Sequence, residues 1–166
     1  MIILGFDPGI AIVGFGLIEK KGNQIKPIQY GSIQTKANLE TGIRLKQIYD
    51  SVKEIISKYK PDAVSIEKLY FNRNVTTALT VGQARGILML AAVEADIPIF
   101  EYTPLQIKQA LVGYGRAEKK QIQEMVKLYL SLKEIPKPDD VADALATAIC
   151  HAHSAKMTKI IKENLK

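Results

Sequence analysis

Residues 2–6, Ile-Ile-Leu-Gly-Phe, form an unbroken apolar run with β-branched members, the pattern of a strand buried on both faces. Asp7-Pro8-Gly9 stops the run and turns the chain. A second apolar stretch, Ala11 to Ile18, contains Gly14 and Gly16, so the opening reads as a hairpin whose first strand ends in a carboxylate. Lys20-Lys21-Gly22-Asn23 is the next turn. Gln24 to Thr35 alternates loosely through Ile25, Ile28, Tyr30 and Ile33 and predicts a third strand, bent near Pro27. Three strands joined by short turns make an antiparallel meander.

The period then changes. Between Leu39 and Tyr59, Leu45, Ile48, Tyr49, Val52, Ile55, Ile56 and Tyr59 recur on one helical stripe. Arg44, Lys46, Lys53 and Lys58 fall off it, as solvated charges should. Lys60-Pro61-Asp62 breaks the helix, and Ala63 to Glu67 is a short strand that again ends in an acid. Strand, helix, strand at this spacing implies a crossover and a parallel neighbour. If that neighbour is the first strand, Asp7 and Glu67 emerge at one edge of the sheet, where clefts of open α/β sheets form.

Val75 to Ala95 predicts a helix that is apolar nearly all round. Gly82 and Gly86, four apart, permit close approach of another helix, either within this chain or from a second copy. Ile97 to Glu101 is a short strand whose Pro98 suggests a sheet edge. Thr103-Pro104 supplies a cap and a first-turn proline for a further helix. Val112 to Arg116 is a glycine-containing loop, and a helix with the stripe Ile122, Met125, Val126, Tyr129 opens at Ala117. Pro136 to Asp140 leads into a final core helix, Val141 to His153. Residues 154–166 carry four lysines against one glutamate and read as a short amphipathic helix or a frayed basic tail.

Composition narrows the class. A chain of 166 residues, 47% hydrophobic, suits one domain with a substantial core. The single cysteine, Cys150, excludes a disulfide framework, and no Cys/His group has zinc spacing. The apolar start is broken at Asp7 and lacks a charged leader, so neither a signal peptide nor a membrane span is expected, and a reducing cytoplasm is the simplest compartment. The formal net charge of +6 suggests a polyanionic partner.

Against that basic background the acids stand out. Asp7 either caps its turn or sits at the mouth of a site, where it holds a metal or a proton. Asp140 and Asp143, three apart, share one face of a helix otherwise built of small apolar residues. Asp139 or Asp140 could serve as an N-cap, but Asp143 is too far inside for that role. Strand-end acids plus a helical pair suit Mg²⁺, with Mn²⁺ as a substitute, because hard cations prefer oxygen ligands. Such ions promote phosphodiester cleavage. Lys108, Arg116, Lys119 and Lys120 lie near the glycine loop and a helix start and suit flanking phosphates, although for each lysine singly a solvated charge is the safer reading. Tyr70-Phe71, in a polar loop with Lys68 and Arg73, suggests stacking on unpaired bases, with one ring expected to tuck into the core.

The motifs Gly5-Phe6-Asp7-Pro8-Gly9, Ile66-Glu67, Gly82-Gln83-Ala84-Arg85-Gly86, Phe100-Glu101-Tyr102, Lys108-Gln109 with Val112-Gly113, Ala117-Glu118-Lys119 and Asp140-Val141-Ala142-Asp143-Ala144-Leu145-Ala146 occur in order. Together they resemble the RuvC Holliday junction resolvases of the ribonuclease H-like superfamily, from Ile2 to about His153. The resemblance implies an α/β fold with a five-stranded mixed sheet flanked by helices, residues 1–153 forming the nuclease domain and 154–166 a basic tail. It implies a homodimer that binds four-way junction DNA and nicks two opposing strands symmetrically. Two Mg²⁺ ions per subunit, 5′-phosphate and 3′-hydroxyl ends, and a branch-migration motor as partner follow from the same resemblance. Asp7, Glu67, Asp140 and Asp143 match the catalytic metal-binding acids. Tyr70 falls at or beside the aromatic that contacts DNA at the junction centre, with Phe71 next to it. Lys108 and Lys119 match basic residues linked to DNA binding and catalysis. Asp140 stands where some members carry histidine.

Three other readings compete. An actin-like ATPase shares a strand–Asp-x-Gly opening but needs a second phosphate loop and a longer chain. A non-catalytic junction binder has no use for four acids. Another ribonuclease H-like nuclease, acting on flaps or hybrids, differs only in substrate.

Overall fold

A computed structural model describes residues 1–68 and 75–164. The strands are β1 (Ile2–Asp7), β2 (Ile12–Lys21), β3 (Gln24–Gln34), β4 (Ala63–Glu67) and β5 (Ile99–Tyr102). The helices are α1 (Thr41–Tyr59), α2 (Val75–Glu94), α3 (Pro104–Val112), α4 (Lys119–Tyr129) and α5 (Asp139–Asn164). One five-stranded mixed sheet has the order β3-β2-β1-β4-β5. β1, β2 and β3 pair antiparallel, whereas β1, β4 and β5 run parallel.

The meander is longer than its apolar pattern. β2 continues past Ile18 because Glu19, Lys20 and Lys21 still pair with Lys26, Ile25 and Gln24. The chain reverses over Gly22-Asn23, with Gly22 at φ +59° in the left-handed region. The bend expected near Pro27 is a bulge: Leu17 pairs with Gln29 and Ile18 with Pro27, so Ile28 has no partner across the ladder.

Alternation along the strands sorts two cores. Leu4, Phe6, Val64 and Ile66 face α1 and α2, where Ile48, Val52 and Ile56 form the buried centre of the α1 stripe. Ile3 and Tyr102 face the other way, into a cluster with α3, α4 and α5. Asp7 has the parity of Ile3 and Gly5, and Glu67 that of Ser65, so both acids belong to the α5 face.

α5 lies unusually near the sheet. A Cβ on Gly5 would meet the main-chain oxygen of Ala144 at 2.1 Å, and one on Gly14 would meet that of Asp140 at 2.0 Å. Small helix residues complete the fit: Ala142, Ala144, Ala146, Ala148 and Ala152 are all buried. Further along, His151 is buried, with its Nδ1 2.7 Å from the Tyr102 hydroxyl and its ring 4.2 Å from that of Phe100. Lys20 donates from Nζ to the main-chain oxygen of Ala152. These contacts fasten α5 to both halves of the sheet.

Two helix boundaries differ from the sequence pattern. α4 opens at Lys119 rather than Ala117, because the Gln121 side chain accepts the Glu118 N–H at 2.8 Å and fixes the start there. α5 begins at Asp139, which makes Asp140 a residue of its first turn rather than a cap, and it runs unbroken to Asn164 instead of stopping at His153. No glycine or proline follows Pro138 to interrupt it. Thr103 caps α3 as expected, with its hydroxyl accepting from Gln106 N at 3.1 Å. Among the described residues no helix is long and apolar enough to cross a membrane.

Candidate active site

Parallel pairing brings the first two acids together. β1 and β4 are in register through Phe6 opposite Ile66, and Asp7 and Glu67 are the next residue on each strand. α5 crosses the same sheet end with its N-terminal turns, which carry Asp140 and Asp143, over β1 and β2. All four predicted acids thus occupy one end of one face.

They form a single electrostatic unit. Burial pushes the Asp7 carboxyl up to about 7, and Asp143, Asp140 and Glu67 each push the same way, while Lys119 pulls it down. Burial also raises Glu67, reinforced by Asp143 and opposed by Lys108. Asp143 is raised by burial and by Asp139 and Asp140, against the pull of Lys119. Carboxylates that resist ionising in one another's company are short of positive charge.

Two lysines supply part of it. Glu67, Lys108, Lys119 and Asp143 line a cleft of about 200 Å³ with Pro104, Ile107, Ile122 and Ala146. Lys119 Nζ lies 3.0 Å from Asp143 Oδ2 and 3.4 Å from Asp139 Oδ2. Asp139 is absent from the sequence-predicted set, although its place beside the register of Asp140 was visible. Arg116 and Lys120 are elsewhere: they line a neighbouring groove of about 1100 Å³ with Gln109, Tyr114, Glu124 and Tyr129. Tyr70, Phe71 and Arg73 lie outside the described residues. The motif residues Arg85 and Glu101 pair with each other, joining α2 to β5.

The donor set suits a hard divalent cation, being all carboxylate oxygen and lacking positive charge. Among the described residues, no three carboxylate, histidine or cysteine side chains stand as a ready-made cation cage. An ammonium lies against Asp143 instead.

A mixed sheet in this order, with acids ending β1 and β4 beneath the acidic first turns of α5, defines the ribonuclease H-like class of α/β domains. The profile of crossover junction endodeoxyribonuclease RuvC matches residues 3–151, and the chain belongs to that family. It is 64% identical over 152 residues to the crossover junction endodeoxyribonuclease RuvC of Brevibacillus brevis, covering 92% of each chain. To that of Alkaliphilus metalliredigens it is 58% identical over 162 residues, covering 98% of this chain and 99% of the relative. The structure of Thermus thermophilus RuvC in complex with Holliday junction substrate superposes with a TM-score of 0.91 at 38% identity, covering 95% of this chain and 96% of that one. The family and the five-stranded sheet expected from the sequence are both met.

Proposed function

We propose that this chain is a structure-selective endonuclease that resolves four-way DNA junctions in recombination and repair. It nicks two opposing strands symmetrically and leaves 5′-phosphate and 3′-hydroxyl ends. One observation carries this reading: Asp7, Glu67, Asp140 and Asp143 are electrostatically joined at one sheet end, beside Lys108 and Lys119, in a chain of the RuvC family. A relative solved with a Holliday junction supports the substrate.

The four acids would hold magnesium, two ions per subunit, with manganese able to replace it. Bound there, such ions supply Lewis-acid activation of water and neutralise charge on the scissile phosphate. Asp7, pinned at the end of a buried strand, fixes the centre of the site. Lys108 and Lys119 hold phosphate oxygens at the cleft. Arg116 and Lys120 bind backbone further along their own groove, and Arg73 does so near the junction centre. One ring of the Tyr70-Phe71 pair stacks on bases unpaired there. Binding is therefore salt-dependent.

Symmetric nicking requires two sites, and this chain works as a homodimer. Support comes from α2, where Leu79, Leu90 and Val93 are 65%, 48% and 62% exposed and a Cβ on Gly82 or Gly86 would meet nothing within 4 Å. Among the described residues that apolar face is left open, and it suits a second α2. Residues 1–153 carry the nuclease and 154–166 add a basic extension. A branch-migration motor is the expected partner and the cytoplasm the expected compartment.

An end-labelled synthetic junction, with and without Mg²⁺ and beside a linear duplex of the same arms, tests the proposal. Paired, religatable, Mg²⁺-dependent nicks confined to the junction are expected. Equal cutting of the duplex would overturn the substrate, and tight binding without cuts would overturn the activity.

A further inference from the structure

Lys119 occupies the position that a cation entering the site has to contest. Its ammonium contacts Asp143, one of the four acids, and at the same time Asp139, which is not one of them. The two carboxylates are four residues apart on α5 and share a face, one helical turn from each other. Their surroundings differ. The Asp143 side chain is 30% exposed and belongs to the cleft, whereas Asp139 is 51% exposed at the solvent end of the helix. Lys119 itself, 55% exposed at the first position of α4, reaches both from one place.

We propose that Asp139 is a positioning residue that takes over Lys119 when a divalent cation takes Asp143. The inference rests on the metal-site reading above. A divalent ion on Asp143 repels an ammonium at hydrogen-bond distance, so Lys119 has to withdraw before the carboxylate can serve as a ligand. Without Asp139 it would withdraw into water and keep no carboxylate partner. With Asp139 it exchanges two carboxylates for one and stays at the cleft, where a phosphate can meet it. Because Asp139 is only the longer contact in the cation-free state and becomes the sole carboxylate partner afterwards, it favours the loaded state. Its influence on ion affinity therefore passes through Lys119 and is not simply the field of one more negative charge.

That distinction sets the experiment: calorimetric titration of Mn²⁺ and of Mg²⁺ into the DNA-free protein. Four chains are compared, the unmodified protein, Asp139→Asn, Lys119→Gln and the double variant. Asp139→Asn is expected to weaken ion binding about threefold when Lys119 is present, within what an exposed ion pair gives. In the Lys119→Gln background the same change should weaken it by less than about 1.5-fold. Lys119→Gln alone should bind the ions more tightly than the unmodified protein, having lost the competitor. Asp139→Glu should restore most of the affinity lost in Asp139→Asn. Equal weakening in both backgrounds would reduce Asp139 to a through-space charge and overturn the inference while leaving the metal site standing. No ion binding by the unmodified protein would overturn both.

Discussion

A Cβ on Gly14 would lie 2.0 Å from the main-chain oxygen of Asp140. β2 therefore touches the helix turn that carries one of the four acids, and only hydrogen fits between them. Gly5 stands in the same relation to Ala144 on β1, at 2.1 Å. The depth at which α5 sits, and with it the reach of Asp140 and Asp143 toward Asp7, is set by side chains that the strands lack.

Gly14→Ala should accordingly push the start of α5 off the sheet. Overpacking of this kind costs about 1–3 kcal/mol, and nicking should fall by more than about tenfold because a displacement near 1 Å is felt that strongly at a reacting centre. Chemical denaturation and junction cleavage measure the two effects. Gly42→Ala, in the first turn of α1 where a Cβ meets nothing within 4 Å, is the control and should leave nicking unchanged and stability no lower.

Asp7→Asn should abolish Mg²⁺-dependent nicking while leaving junction affinity within about twofold, since the phosphate-binding cations are untouched. Gel-shift and cleavage assays on the same preparation decide it. A variant that still cuts would remove Asp7 from the reaction.

The same substitution should stabilise the metal-free protein. Folding raises the Asp7 carboxyl from 3.8 to about 7. Between those values the folded chain binds a proton that the unfolded chain has released, so stability falls as pH rises through the window and the loss is nearly complete about one unit above pH 7. Asn carries no such penalty. Thermal melts in chelator should show Asp7→Asn melting several degrees higher at pH 8. The difference should close toward pH 4. Magnesium should raise the melting temperature of the unmodified protein more than that of the variant.

Val93→Glu and Leu90→Glu place charge on the open face of α2, where both side chains are largely exposed. Each should leave the monomer's melting behaviour within about 0.5 kcal/mol and shift sedimentation from dimer to monomer. Symmetric paired nicking should be lost with the dimer.

Much of the site was legible because it is written in strand ends and helix spacing. The apolar run before Asp7, the short strand before Glu67 and the helix between them imply a parallel pair, and Asp143 sits too far inside an alanine-rich helix to be a cap. The contact of Lys119 with Asp139 and Asp143 was not legible, because it joins two helices across the irregular stretch between Tyr129 and Asp139, where no periodicity fixes the approach. Gly14 and Gly16 could be read only as small residues in a strand, since what they face is a helix more than a hundred residues away. The length of α5 was missed for a different reason: polarity rises after Ser154, yet polarity alone does not end a helix when no breaker follows.

The bulge at Ile28 bears on how copies of this chain can assemble. β3 and β5 are the outer strands, and both are poor templates for a further strand. β3 is kinked where Pro27 offers no N–H, and β5 is only four residues long and follows directly on Pro98. Ladder extension from one molecule to the next is thereby discouraged at both rims. Association is left to side-chain packing between helices, which can close into a pair and stop, so a fold with these rims resists growing into a fibre.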